Sequence, residues 1–197
     1  MSSIFKEWAP LYREQGFWPR PVQPGAKKCA LKSWQKPDPD WPASELQQWL
    51  SLYGQCGLGL LMGSPLPGGL TLGALDIDRD EYLPLARTLL GGPLCQRIGK
   101  KGAVFFVRVE PGIKNRKFRV KGDAGKVWGQ AAECLFHKNF CLVPPTIHPD
   151  TSQPYRWEGA PLLGIDVSTL PVIGTESRDE SPRFPAPDSE SSSSSRG

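Results

Sequence analysis

A chain of 197 residues, 39% of them hydrophobic, is sized for one globular domain with its own core. The net charge of +4 permits a nucleic-acid partner without requiring one, and no apolar run approaches the roughly 18 residues of a membrane span. Five widely spaced cysteines and no apolar leader after Met1 point to free thiols in a reducing cytoplasm, not to a disulfide framework.

In chain order, residues 4–15 predict a helix with Ile4, Trp8, Leu11 and Tyr12 on one face, ended by Gly16. Residues 17–22 read as a short strand that its prolines make irregular or place at an edge. Residues 24–40 are a loop carrying Lys27, Lys28, Lys32 and Lys36 around Trp34. Ser44 and Gln47 have capping-box spacing ahead of a helix over 45–53. An apolar strand over 58–62, a turn over 63–69, a second apolar strand over 70–77 and a helix over 81–90 follow. Further strands are expected over 95–98, 103–109, 117–120, 127–135 and 140–143, with a turn at 137–139. Pro144-Pro145 stops the last of them, residues 147–157 read as a loop, and order ends near Pro171. From Thr175 the composition turns to Ser, Pro, Asp, Glu and Arg, which cannot bury enough apolar area to offset ordering entropy. The expectation is a domain over 4–173 and a disordered tail over 174–197. Helices and strands mix without regular alternation, so the fold class is α+β.

The clearest chemical signal is Asp76-Ile77-Asp78, at the end of an apolar strand. Residues i and i+2 of a strand face the same way, about 6–7 Å apart, so two carboxylates there can share divalent cations. Alone, the motif more often describes two solvated acids at a strand end, and the run Leu70, Leu72, Ala74, Leu75 adds modest weight to delivery to a cleft. Cys134, His137, Cys141 and His148 make a set that zinc could use, but both cysteines lie in apolar strand runs and read as small hydrophobes. No P-loop or nucleophile elbow is present.

Further segments, in order, carry a family resemblance. They are Gly16-Phe17-Trp18-Pro19 through Lys27-Lys28 and Trp34; Gly57-Leu58-Gly59-Leu60-Leu61-Met62-Gly63; Leu75-Asp76-Ile77-Asp78; Arg97 through Phe106; Lys117-Phe118-Arg119; and Leu142-Val143-Pro144-Pro145-Thr146-Ile147-His148-Pro149-Asp150-Thr151 with Pro154-Tyr155-Arg156-Trp157. Together they resemble the N-terminal domain of bifunctional primase-polymerases, of the phage and plasmid type within the archaeo-eukaryotic primase superfamily, over roughly residues 8–172. The resemblance implies a mixed or antiparallel sheet with flanking helices. It also implies nucleotidyl transfer from nucleoside triphosphates on a single-stranded DNA template, in replication of a phage, plasmid or integrated element. A third metal carboxylate is implied upstream of the Pro-Pro segment, at Glu133, so that Asp76, Asp78 and Glu133 bind Mg²⁺ or Mn²⁺ and carry catalysis. His148 is implied to contact the nucleotide, and a helicase, often fused in relatives, is expected in trans.

One departure stands out. Many superfamily members carry a triphosphate-binding histidine in the second motif, where this chain has Ala103-Val104-Phe105. Phosphate binding then falls to Lys100 and Lys101 in a Gly99–Gly102 loop, with Lys117 and Arg119 adding charge from one strand face. Lys27, Lys28 and Trp34 could track and stack a template, the alternative being core packing of the ring. Two other readings stay open: a catalytically degenerate module that binds DNA or recruits a helicase, and a nuclease using the same acids.

Overall fold

Strand β5 (Ala103–Val109, AVFFVRV) is buried along nearly its whole length, and the larger sheet extends from it in both directions. In this computed structural model the described residues are 3–42, 44–91, 94–121 and 127–174, so the tail expected over 174–197 lies outside them from Thr175 onward. On one side β3 (Thr71–Ile77) pairs with β5, then β7 (Val127–Leu135) with β3, and β6 (Arg116–Lys121) forms the edge. On the other, β4 (Cys95–Ile98) and β9 (Arg156–Gly159) continue the sheet. These pairs are antiparallel, and β10 (Val172–Ile173) adds a short parallel pairing to the end of β5. A second antiparallel sheet has the order β1-β2-β8, from β1 (Trp18–Val22), β2 (Gly57–Leu61) and β8 (Phe140–Leu142). With helices α1 (Ile4–Glu14), α2 (Glu45–Tyr53) and α3 (Leu83–Leu90) the fold is α+β, as the sequence led us to expect. No helix among the described residues is long and apolar enough to cross a membrane.

Both faces of β5 are covered. Val104 and Phe106 pack in one core with Phe5 and Tyr12 of α1, Trp49 of α2 and Leu58 and Leu60 of β2. Phe105 points the other way, into a core with Ile77, Ala86 of α3 and Ala132. The glycines of β2 let its neighbours close in. A Cβ on Gly59 would lie 2.7 Å from the Phe140 ring, and one on Gly57 would lie 2.6 Å from Thr146 Cγ2. Thr146 Oγ1 in turn accepts from Leu58 N–H at 2.5 Å and donates to Leu58 C=O at 2.8 Å, which fixes the segment after Pro144-Pro145 to β2.

Three local expectations are corrected. Ser44 is already in the right-handed helical region (φ −72, ψ −14), so its side chain makes no cap, and Glu45 Oε1 instead accepts from Trp49 Nε1 at 3.1 Å. The helix expected over 81–90 begins as a 3₁₀ turn (Asp80–Tyr82) before α3. Arg156 and Trp157 are not loop but open β9. An Ile147–Pro154 bridge turns the chain back, and the open edge of β4 takes up the strand.

The lysine loop is anchored from below. Arg20 of β1 is fully buried, and its Nη1 donates to Asp38 Oδ1 at 2.6 Å, its Nε to Trp34 C=O at 2.7 Å and its Nη2 to Lys36 C=O at 2.6 Å. Arg13 of α1 also pairs with Asp38. Asp38→Ala would strand Arg20 without a counter-charge, and urea unfolding is expected to show a loss of roughly 3–5 kcal/mol. A loss below about 1 kcal/mol would show that the ion pair does not hold this loop.

Candidate active site

Five side chains share one face of the larger sheet in a single row. The register sets Arg97 opposite Val104, Val104 opposite Asp76, Asp76 opposite Glu133 and Glu133 opposite Lys117. Directly opposed residues of antiparallel strands face the same way, with Cβ atoms about 4.5–5.5 Å apart. The row therefore reads cation, apolar, acid, acid, cation. Asp78 lies two residues beyond Asp76, where its N–H donates to Ala131 C=O at 2.9 Å.

Gln130 ties the acids together. Its Nε2 donates to Asp78 Oδ2 at 2.8 Å and to Glu133 Oε2 at 3.2 Å. A register jump, from Phe118 opposite Ala132 to Arg119 opposite Gln130, is what brings residues i and i+3 of β7 to one side. Sequence reading missed Gln130, because nothing in its spacing announces a bulge.

Burial pushes the Asp76 carboxyl up to about 6; Arg97 opposes the shift, Asp78 and Glu133 reinforce it, and Lys27 opposes it. The donor set is all oxygen and suits a hard divalent cation, which would also relieve that repulsion. In this structure, however, no three acid, histidine or cysteine side chains among the described residues close on a common metal point. Glu133 Oε1 is instead held by Lys117 Nζ at 3.2 Å. Lys117→Met should therefore tighten Mn²⁺ binding several-fold, on the order of 1 kcal/mol, as read by calorimetric titration. Weaker Mn²⁺ binding in that variant would contradict a competing role for the lysine.

The row borders a cleft of about 510 Å³ between the two sheets. Asp76 and Asp78 line it beside four cations, Lys27, Arg97, Lys100 and Lys101. Leu135, Phe140 and Leu142 make an apolar wall, and His148, Asp150 and Tyr155 complete the lining. Lys100 and Lys101 sit at the tip of the β4–β5 hairpin, where Gly102 N–H donates to Asp80 Oδ1 at 2.7 Å and Lys100 Nζ stands 3.9 Å from Asp150 Oδ2. A second opening of about 390 Å³ is lined by Asp78, Arg79, Lys101, Gly129 and Gln130.

His148 is buried, with its ring 5.0 Å from that of Tyr155. Burial, then Lys27, depresses its pKa, against a smaller opposing effect of Asp150. Its Nδ1 accepts from Asp150 N–H at 3.1 Å, so the neutral ring carries its proton on Nε2.

The remaining expected residues are dispersed. Arg119 is exposed on β6 and lines neither opening, and Lys117 is engaged with Glu133. Lys27 reaches the cleft while Lys28 is exposed on the same loop. Trp34 is half-buried, edge-on to Phe140 at 5.0 Å, and so backs the apolar wall. The zinc-like set is separated: His137 Nε2 contacts Ile113 C=O at 3.1 Å, Cys141 contacts Arg97, and all five cysteines are free.

Arg97 is the second residue that sequence reading passed over, since a cation on a short strand reads as solvent-facing. Its guanidinium lies 4.5 Å over the Tyr155 ring and its Nη2 donates to Cys141 Sγ at 3.5 Å.

The family model described as bifunctional DNA primase/polymerase, N-terminal, covers residues 9–173. No curated protein matches the chain.

Proposed function

The chain belongs to the bifunctional DNA primase/polymerase N-terminal family, and from that premise we propose that it is a metal-dependent nucleotidyltransferase that joins nucleotides on a single-stranded DNA template. The observation carrying this reading is the Asp76–Glu133 register, with Asp78 beside it and four cations across the same cleft.

Asp76, Asp78 and Glu133 would hold Mg²⁺ or Mn²⁺, and a bound ion supplies Lewis-acid stabilisation of the charge that builds on the leaving pyrophosphate. For Glu133 to join the set, its bond to Lys117 must be released. Lys27, Lys100 and Lys101 draw the triphosphate into the cleft and hold its charge. Neutral His148 donates from Nε2, a bond that needs no change of protonation as the nucleotide enters. The wall of Leu135, Phe140 and Leu142 keeps water from the reacting phosphate and packs the nucleoside. Lys28 and Trp34 belong to the lysine loop at the cleft's edge, where a template strand would run. Arg119, exposed on β6 and opposite Gln130, adds positive charge for the incoming triphosphate at the edge of the acids. We place the reaction in the cytoplasm, in replication of a phage, plasmid or integrated element with a helicase acting in trans. The support for the replication context is the resemblance of the second motif to its form in phage and plasmid members.

A second reading rests on Val104. With no donor at that position, and with Glu133 tied to Lys117, the domain could bind DNA without transferring nucleotides. Labelled nucleotide incorporation on a single-stranded circle with Mn²⁺ separates the two. Metal-dependent product supports transfer. Template binding with no product supports the binding module, and loss of the template without added nucleotide supports a nuclease.

A further inference from the structure

Arg97 is a cation on which Asp76 acts only from across Val104, with no ion pair between them among the described residues. Among the described residues the buried Nε of Arg97 has no hydrogen-bond partner, and its Nη2 donates to the Cys141 thiol, a weak acceptor. Among the described residues no carboxylate forms an ion pair with it. The face of Tyr155 offers partial compensation from below. A guanidinium drawn out of water and left unpaired is costly, and an apolar side chain of similar volume would fill the same space without that cost. Such a group in a cleft wall fits an anion that arrives and leaves.

The register says which anion. Arg97 and Asp76 share one sheet face, separated by Val104, hence by two strand spacings or roughly 9–10 Å. A polyphosphate laid along that face would set its reacting phosphoryl group at the acids and its terminal phosphates at the guanidinium. Val104 itself is apolar and donates nothing. Arginine rather than lysine suits the task, because its planar fork binds phosphate through two parallel bonds.

We propose that Arg97 is the anion anchor of the cleft, binding the terminal phosphates of a nucleoside triphosphate in place of a donor at position 104. The proposal rests on reading the cleft as a nucleotide site and adds the residue that selects triphosphate over monophosphate. Lys100 and Lys101, on an exposed hairpin tip, contribute field; Arg97 contributes direct bonds.

The test uses the full chain with Arg97→Met and Arg97→Lys. Calorimetric titration, with Mn²⁺ present, measures binding of a nonhydrolysable deoxynucleoside triphosphate, the matching monophosphate and inorganic tripolyphosphate. Arg97→Met should weaken triphosphate and tripolyphosphate binding about 10–100-fold and leave the monophosphate within about 2-fold. Arg97→Lys, which keeps the charge and loses the fork, should fall between. In steady-state incorporation KM should rise far more than kcat falls. Unchanged triphosphate affinity in Arg97→Met, with incorporation intact, overturns the anchor and leaves the proposed activity standing. Arg97-dependent tripolyphosphate binding in a wild-type chain that incorporates nothing does the reverse. If Arg97→Met does not fold, Arg97→Lys decides: wild-type selectivity for triphosphate over monophosphate in that variant overturns the proposal.

Discussion

Asp76→Asn is expected to abolish Mn²⁺-dependent nucleotide incorporation while making the metal-free protein more stable. The two effects share one cause. Asp76 is the acid on which the charges of Asp78 and Glu133 converge, and burial holds its carboxyl near 6. An acid whose folded pKa is raised keeps a proton that the unfolded chain releases near 4. Folding of the metal-free chain is therefore favoured at low pH, and that advantage is lost as pH rises from about 4 through 6. Asparagine has no charge to desolvate, so the variant escapes this penalty above pH 6, a gain on the order of 1–3 kcal/mol. The same change removes a metal ligand, and several kcal/mol of transition-state charge stabilisation correspond to a rate loss of about 10³-fold or more. Urea unfolding without metal at pH 5 and pH 7.5, beside an incorporation assay, reads both. Stability equal to wild type at pH 7.5 would show that neither burial nor the neighbouring acids hold the Asp76 carboxyl up in the folded state.

Gly102→Ala is expected to be the most damaging small substitution in the hairpin. Gly102 has φ +59, in the left-handed region, and a Cβ there would lie 1.8 Å from Ile77 C=O and 3.1 Å from the Asp78 carbonyl carbon. The obstacle is backbone, so no side-chain rotation relieves it. The left-handed conformation alone costs alanine roughly 1–2 kcal/mol. The clash adds more, because the β4–β5 turn must move off the end of β3. That movement drags Lys100 and Lys101 from the cleft and breaks the bond from Gly102 N–H to Asp80. A total loss above about 3 kcal/mol is expected in urea unfolding, with incorporation lost even where the variant is folded. Gly68→Ala is the matched control, because φ is +78 there and a Cβ meets nothing within 4 Å. Equal losses in the two variants would show that only backbone conformation matters, and that the hairpin does not brace the acids.

What the sequence makes legible follows from range. The apolar runs of β2, β3 and β5 and the face of α1 are local patterns, and each element forms close to where its pattern lies. Asp76 and Asp78 were legible for the same reason, since period-2 alternation alone sets them on one face. Glu133 carries no local signal. It was reached through resemblance, and its position opposite Asp76 depends on the pairing of β3 with β7. Gln130 required knowledge of the β7 bulge, and Lys117's engagement with Glu133 required knowledge of which strand would lie beside β7. Trp34 shows the same dependence on range. A tryptophan in a lysine-rich loop reads as exposed, yet burial of Arg20 beneath the loop draws the ring against Phe140. Arg156 and Trp157 were read as loop because the prolines before them dominate the local pattern, while the open edge of β4 is visible only in three dimensions.

Whether the three carboxylates act as one donor set is tested most directly by Mn²⁺ titration of the wild type, Asp76→Asn and Glu133→Gln, followed by electron paramagnetic resonance with a nonhydrolysable triphosphate present. Both variants are expected to bind Mn²⁺ about 10-fold more weakly or worse, with Glu133→Gln matching Asp76→Asn in direction. Wild-type Mn²⁺ affinity in Glu133→Gln would contradict a shared site.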